Sequence, residues 1–71
     1  MSLFSTRIKA LRKEKSMTQR QMADALGVTE RSYQRYEAEY SPNNEILVKL
    51  ADFFDVSTDY LLGRSDNPKR Q

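Results

Sequence analysis

Residues 19–38 read QRQMADALGVTERSYQRYEA, two short helical patterns hinged on a single glycine. Met22, Ala23 and Leu26 recur at helical spacing and form one inner face. Ala23 is small enough for a second helix to cross closely. Four residues later, Gly27 supplies a position that tolerates φ > 0 in the turn. Leu26 and Val28 flank that turn, and Tyr33 and Tyr36 carry the inner face on. Thr18 offers an N-cap hydroxyl, with Gln21 completing a capping-box pattern, and Thr29 caps the second helix. Each feature is common in ordinary helical hairpins. Together they specify a helix-turn-helix.

On either side the pattern stays helical, with no period-2 alternation. Phe4, Ile8 and Leu11 lie at i, i+4 and i+7 on a basic helix of about residues 4–15, which Ser16-Met17 breaks. Residues 39–44, with Pro42, read as a loop. Leu47, Leu50, Ala51 and Phe54 mark a fourth helix over about 44–54. Ser57 caps a last short helix that runs through Leu62 and closes at Gly63. Beyond Gly63 the composition turns polar and basic, so residues 64–71 read as a tail or the start of a linker. The expectation is all-α: one compact five-helix domain over residues 1–63, with the motif at about 19–38.

Composition narrows the function. With 71 residues there is room for one domain, and 38% hydrophobic against 31% charged residues suits a small soluble globule. No apolar run approaches the roughly 20 residues a membrane span needs. The chain has no cysteine and no histidine, which removes disulfides, thiolate chemistry, His-based acid–base catalysis and nearly every zinc site. Two glycines cannot build a phosphate-cradling loop. No metal, cofactor or enzymatic activity is expected. Charge is strongly segregated. Residues 1–35 hold eight Lys or Arg against three acids (+5), residues 36–63 one base against six acids (−5), and residues 64–71 three bases against one acid (+2). Such a molecule can turn one end toward a polyanion.

Arg7-Ile8-Lys9-Ala10-Leu11-Arg12, Met17-Thr18-Gln19, Leu26-Gly27-Val28, Tyr36-Glu37, Leu50-Ala51, Val56-Ser57 and Asp59-Tyr60-Leu61-Leu62-Gly63 resemble the lambda/434-repressor-like, or xenobiotic-response-element, family. The matches cover about residues 4–63 and fall in all five helices. The resemblance implies a lambda-repressor-like, double-stranded-DNA-binding domain. It further implies a bacterial or phage-encoded transcriptional regulator acting in the cytoplasm at the nucleoid, usually as a dimer. Alternatives on the same fold are the antitoxin of a toxin–antitoxin pair, which also binds a protein, or a protein-interaction module that has lost DNA. The chain reads either as a complete short regulator or as the head of one whose C-terminal domain is missing.

At about 100° per residue, Glu30, Arg31, Gln34 and Arg35 share the helix face opposite Tyr33 and Tyr36. In this docking mode the second helix of the motif lies in the major groove. Arg31 and Arg35, one turn apart, suit the bidentate contact to guanine O6 and N7; Glu30 suits cytosine N4, and Gln34 adenine. The resemblance places base reading on Glu30, Arg31 and Arg35, with Gln34 and Ser32 beside them. For the phosphates it points to Gln19 at the start of the first helix of the motif. Thr18, Arg20 and Ser32 are further candidates, and Thr18 serves equally well as a pure cap. Lys9, Lys13 and Lys15 add long-range attraction. The resemblance also pairs Arg12 with Glu37, a structural ion pair setting the pose of the recognition helix.

Two departures stand out. Ser16 replaces the glycine usual after the first helix, so a serine must bear φ > 0 or the turn changes shape. Ala38-Glu39-Tyr40 stands where the family often has Asn-Gly and bases. Glu39 would repel a phosphate; Tyr40 either replaces the contact through its hydroxyl or packs. Ile46 and Phe53, a heptad apart and off the main apolar stripe, either fill a second core layer or meet a partner subunit together with the last helix. Two-fold pairing would set the recognition helices about 34 Å apart, on successive major grooves.

Overall fold

A computed structural model of the chain describes residues 2–38 and 40–70. Five helices follow one another: α1 (Leu3–Glu14), α2 (Gln19–Leu26), α3 (Glu30–Ala38), α4 (Asn44–Phe54) and α5 (Thr58–Leu62). No strand occurs among the described residues, and no helix is long and apolar enough to cross a membrane.

Side chains with a short reach to the backbone start these helices. Ser2, Thr18, Asn43 and Ser57 each adopt an extended conformation and accept a bond from the backbone N–H three residues on. At α2 the Gln21 side chain also accepts from Thr18 N–H, completing the capping box. Left-handed residues follow α1, α2, α4 and α5. Gly27 has φ +74° with open space where a Cβ would stand, so its requirement is conformational alone. Gly63 has φ +79°; a Cβ there would lie 2.7 Å from Leu3 Cδ2, the movable end of an exposed side chain, so its conformation is what demands glycine. Ser16 bears the positive φ (+56°) that the missing glycine leaves to it. Asp55, at φ +55°, ends α4 in the same way without any glycine to announce it.

The core gathers Phe4 and Ile8 of α1, Met22, Ala23 and Leu26 of α2, Tyr33 and Tyr36 of α3, and Leu50, Ala51 and Phe54 of α4, closed by Val56 and Leu61. Ala23 is 1% exposed, on a helix that packs against α3. Of the two readings of Ile46, the structure bears on the core one. It is 9% exposed and belongs to this core, because it lies at i, i+4 and i+8 with Leu50 and Phe54 on the same stripe of α4. Phe53 stays outside, edge-on to Phe54 with the Lys15 ammonium above its ring.

Residues 64–70 fold back onto the domain. Arg7 stacks on the Tyr60 ring and donates to Tyr60 O, to Ser65 O at 2.8 Å and to Asp66 at 3.0 Å. Ser57 N–H donates to Pro68 O at 3.0 Å. Arg70 donates to Ala51 O, a carbonyl in the last turn of α4 that also accepts from Val56 N–H, and to Asp52 at 2.6 Å.

Candidate nucleic-acid interface

Helix α3 has two unlike faces. Inward, Tyr33 is fully buried and Tyr36 and Glu37 nearly so. Outward, Glu30, Arg31, Gln34 and Arg35 are all exposed, as is Arg20 on α2. Among the described residues neither Arg31 nor Arg35 makes an ion pair, so both keep guanidinium N–H groups for a ligand. Glu30 lies in the first turn of α3, where a carboxylate also suits the positive end of the helix dipole.

The pose of that helix is set from behind. Arg12 Nε and Nη2 reach the two oxygens of Glu37 at 2.7 and 3.1 Å, and Nη1 donates to Met17 O at 2.8 Å. Tyr33 OH donates to Glu37 Oε2 at 2.5 Å and Gln19 Nε2 to Oε1 at 3.1 Å. One buried carboxylate therefore joins α1, the turn after it, the start of α2 and α3. Burial pushes the Glu37 carboxyl up, but the hydrogen bonds from Arg12, Tyr33 and Gln19 together outweigh it and hold the group below its ordinary value. The same carboxylate raises Arg12, and burial followed by the bond to Glu37 raises the Tyr33 phenol. A fully satisfied buried network of this kind rigidifies its surroundings. On the other side Ser5, fully buried, donates to Tyr36 O at 2.8 Å, using one of the end carbonyls of α3.

Of the side chains assigned to phosphates, Gln19 is half-buried with one amide N–H committed to Glu37, leaving the other at the N-terminus of α2. Thr18 is occupied in its capping box. Ser32 accepts from the Thr29 hydroxyl, while Thr29 accepts from Ser32 N–H at the start of α3. Tyr40 is 54% exposed; it stacks on Tyr36 and lies beneath the Arg35 guanidinium. The expected repulsion from Glu39 falls outside the described residues. Sequence reading missed the Tyr33 hydroxyl and Ser5. Tyr33 had a signal in its i, i+4 spacing to Glu37; a buried serine within an apolar stripe had none.

A helix-turn-helix family profile matches residues 8–61. The chain is 41% identical over 68 residues to the uncharacterized HTH-type transcriptional regulator YqaE of Bacillus subtilis, covering 94% of this chain and 59% of that protein. It is 48% identical over 54 residues to the cryptic phage CTXphi transcriptional repressor RstR of Vibrio cholerae, covering 75% of this chain and 48% of that one. It thus spans between about half and three fifths of the length of these relatives. Among solved structures, the P22 c2 repressor in complex with synthetic operator 9T superposes with a TM-score of 0.82 at 32% identity, over 92% of this chain and all of that one. With a profile matching most of its length and the same five-helix architecture, this chain belongs to the XRE-type, lambda-repressor-like helix-turn-helix family.

Proposed function

We propose that this domain binds double-stranded DNA sequence-specifically and serves a transcriptional repressor. The observation that carries the reading is the asymmetry of α3: Arg31 and Arg35 face outward one turn apart, while Glu37 locks the opposite face to α1 and α2. A rigid helix presenting two arginine forks matches guanine edges in the major groove. Glu30 and Gln34 extend the reading surface. Gln19, Arg20, Thr18 and Ser32 border it as phosphate partners that fix register. The likeness to RstR, a transcriptional repressor, and to the P22 c2 repressor bound to its synthetic operator supports the same reading. So does the +5 charge of residues 1–35. The protein acts as a dimer on an inverted repeat in the cytoplasm. Ile46 belongs to the core, so the subunit contact draws on exposed apolar side chains such as Phe53 and Leu62.

Selection from random double-stranded DNA at near-physiological salt tests this. The expected product is an inverted repeat with half-sites about one helical turn apart. Enrichment of a single, unrepeated site would remove the dimer. Enrichment of nothing by the folded protein would remove DNA binding.

A further inference from the structure

Arg35 is held differently from Arg31. Its Cζ lies 4.6 Å from the centroid of the Tyr40 ring. That ring stacks nearly parallel on Tyr36, with centroids 6.2 Å apart and planes at 16°. Tyr36 in turn meets the fully buried Tyr33 edge-on at 6.2 Å. Tyr40 N–H donates to Arg35 O at 3.0 Å, fixing the base of the stack to the end of α3. Three rings thus run from the core to the guanidinium. No comparable ring lies against Arg31 among the described residues.

The chemistry of the contact matters. A carboxylate partner would occupy the N–H edges of Arg35, the groups a base would need. Stacking occupies only the face of the guanidinium and leaves its donors at the rim. It also removes rotamer freedom that a long, unsupported arginine loses on binding. We propose that Tyr40 is a positioning residue for Arg35: its ring, not its hydroxyl, sharpens discrimination at the one base pair that Arg35 reads. This rests on the reading of Arg35 as a base-contacting residue. It replaces a phosphate contact through the Tyr40 hydroxyl with a specificity role through the ring face.

The test is a competition-binding profile of the full chain across single-base variants of its selected site. Wild type, Arg35→Ala, Arg31→Ala, Tyr40→Ala and Tyr40→Phe are compared. Arg35→Ala and Arg31→Ala identify the base pair each arginine reads. Tyr40→Ala should then lose about two- to five-fold of the discrimination at the Arg35 base pair, the scale of an exposed cation–π contact. Discrimination at the Arg31 base pair should be unchanged, and Tyr40→Phe should match wild type. Full discrimination in Tyr40→Ala, with Arg35→Ala relaxed, overturns the positioning role and leaves base reading standing. Equal relaxation at both base pairs points to a general loosening of α3 and also overturns it. Uniform weakening in Tyr40→Phe restores the hydroxyl–phosphate contact instead. If Arg35→Ala changes no preference, or the chain binds no DNA, the base-reading assignment falls and the positioning role with it.

Discussion

Arg12 and Glu37 meet as a fork: two guanidinium nitrogens face the two carboxylate oxygens at 2.7 and 3.1 Å, with the side chains only 11% and 3% exposed. Such a pair adds little net stability over a well-packed apolar substitute, because both ions were dehydrated to form it. Its effect is positional. The arginine comes from α1 and the carboxylate from α3, so the pair fixes how far the recognition helix stands from the body of the domain.

Breaking the pair from one side leaves the other charge stranded. Glu37→Ala should destabilise the fold by about 3 kcal/mol or more, since Arg12, the Tyr33 hydroxyl and the Gln19 amide all lose their acceptor. Urea unfolding reads this as a lower midpoint with an unchanged slope. A midpoint equal to wild type would show that the carboxylate is dispensable.

Acid should act through the same group. The Glu37 carboxyl is held below its ordinary value in the folded state, so its contribution is complete above the unfolded carboxylate pKa of about 4.3. It is lost as the pH falls through the lower, folded value. Melting temperature measured from pH 6 downward should therefore drop more steeply for wild type than for Glu37→Gln, which has no proton to gain. Parallel curves would assign the acid sensitivity to other carboxylates.

Ser16 offers a gain instead. Its φ of +56° is strained for a residue with a Cβ, and it sits in the turn between α1 and α2 whose Met17 carbonyl accepts from Arg12. Ser16→Gly should stabilise by about 1 kcal/mol, raising the melting temperature by roughly 4–8 °C. Calorimetry showing no rise would mean that the serine side chain offsets its own strain.

Arg31 stands without a stacking ring, so its loss should read as loss of a ligand contact alone. Arg31→Ala should cost about 1–3 kcal/mol on the preferred site, relax one base pair and leave thermal stability unchanged. Equal weakening on unrelated DNA would reassign Arg31 to the phosphates.

Most of the architecture was legible before any coordinates. The helices of the motif announce themselves through Thr18, Gln21 and Gly27, and α5 through Ser57 and Gly63, since caps and left-handed turns are chemical events at single residues. The end of α4 is legible from its apolar spacing alone, because Asp55, not glycine, takes the left-handed conformation. Sequence reading leaves Ile46 open between core and subunit contact, although its i, i+4, i+8 spacing with Leu50 and Phe54 sets it on the core stripe. Among the functional candidates, the outward positions of Glu30, Arg31, Gln34 and Arg35 followed from helical phase. Partner choice did not. That Gln19 turns to Glu37, that Tyr40 lies under Arg35, and that Arg7 and Arg70 seize backbone carbonyls all depend on how helices cross. Bonds to carbonyls leave no trace in side-chain pattern.

The latch between Leu3 and Gly63, reinforced by Arg7 on Tyr60 and Asp66, brings the start of α1 and the end of α5 together. None of the polar contacts of residues 64–70 falls on α2 or α3. The domain is topologically close to a ring, and fraying at one terminus withdraws support from the other. A circular permutant that joins these ends by a short linker and opens the chain in the loop before α4 would keep this seam covalently closed. Helices α1 to α3 would then remain one uninterrupted segment.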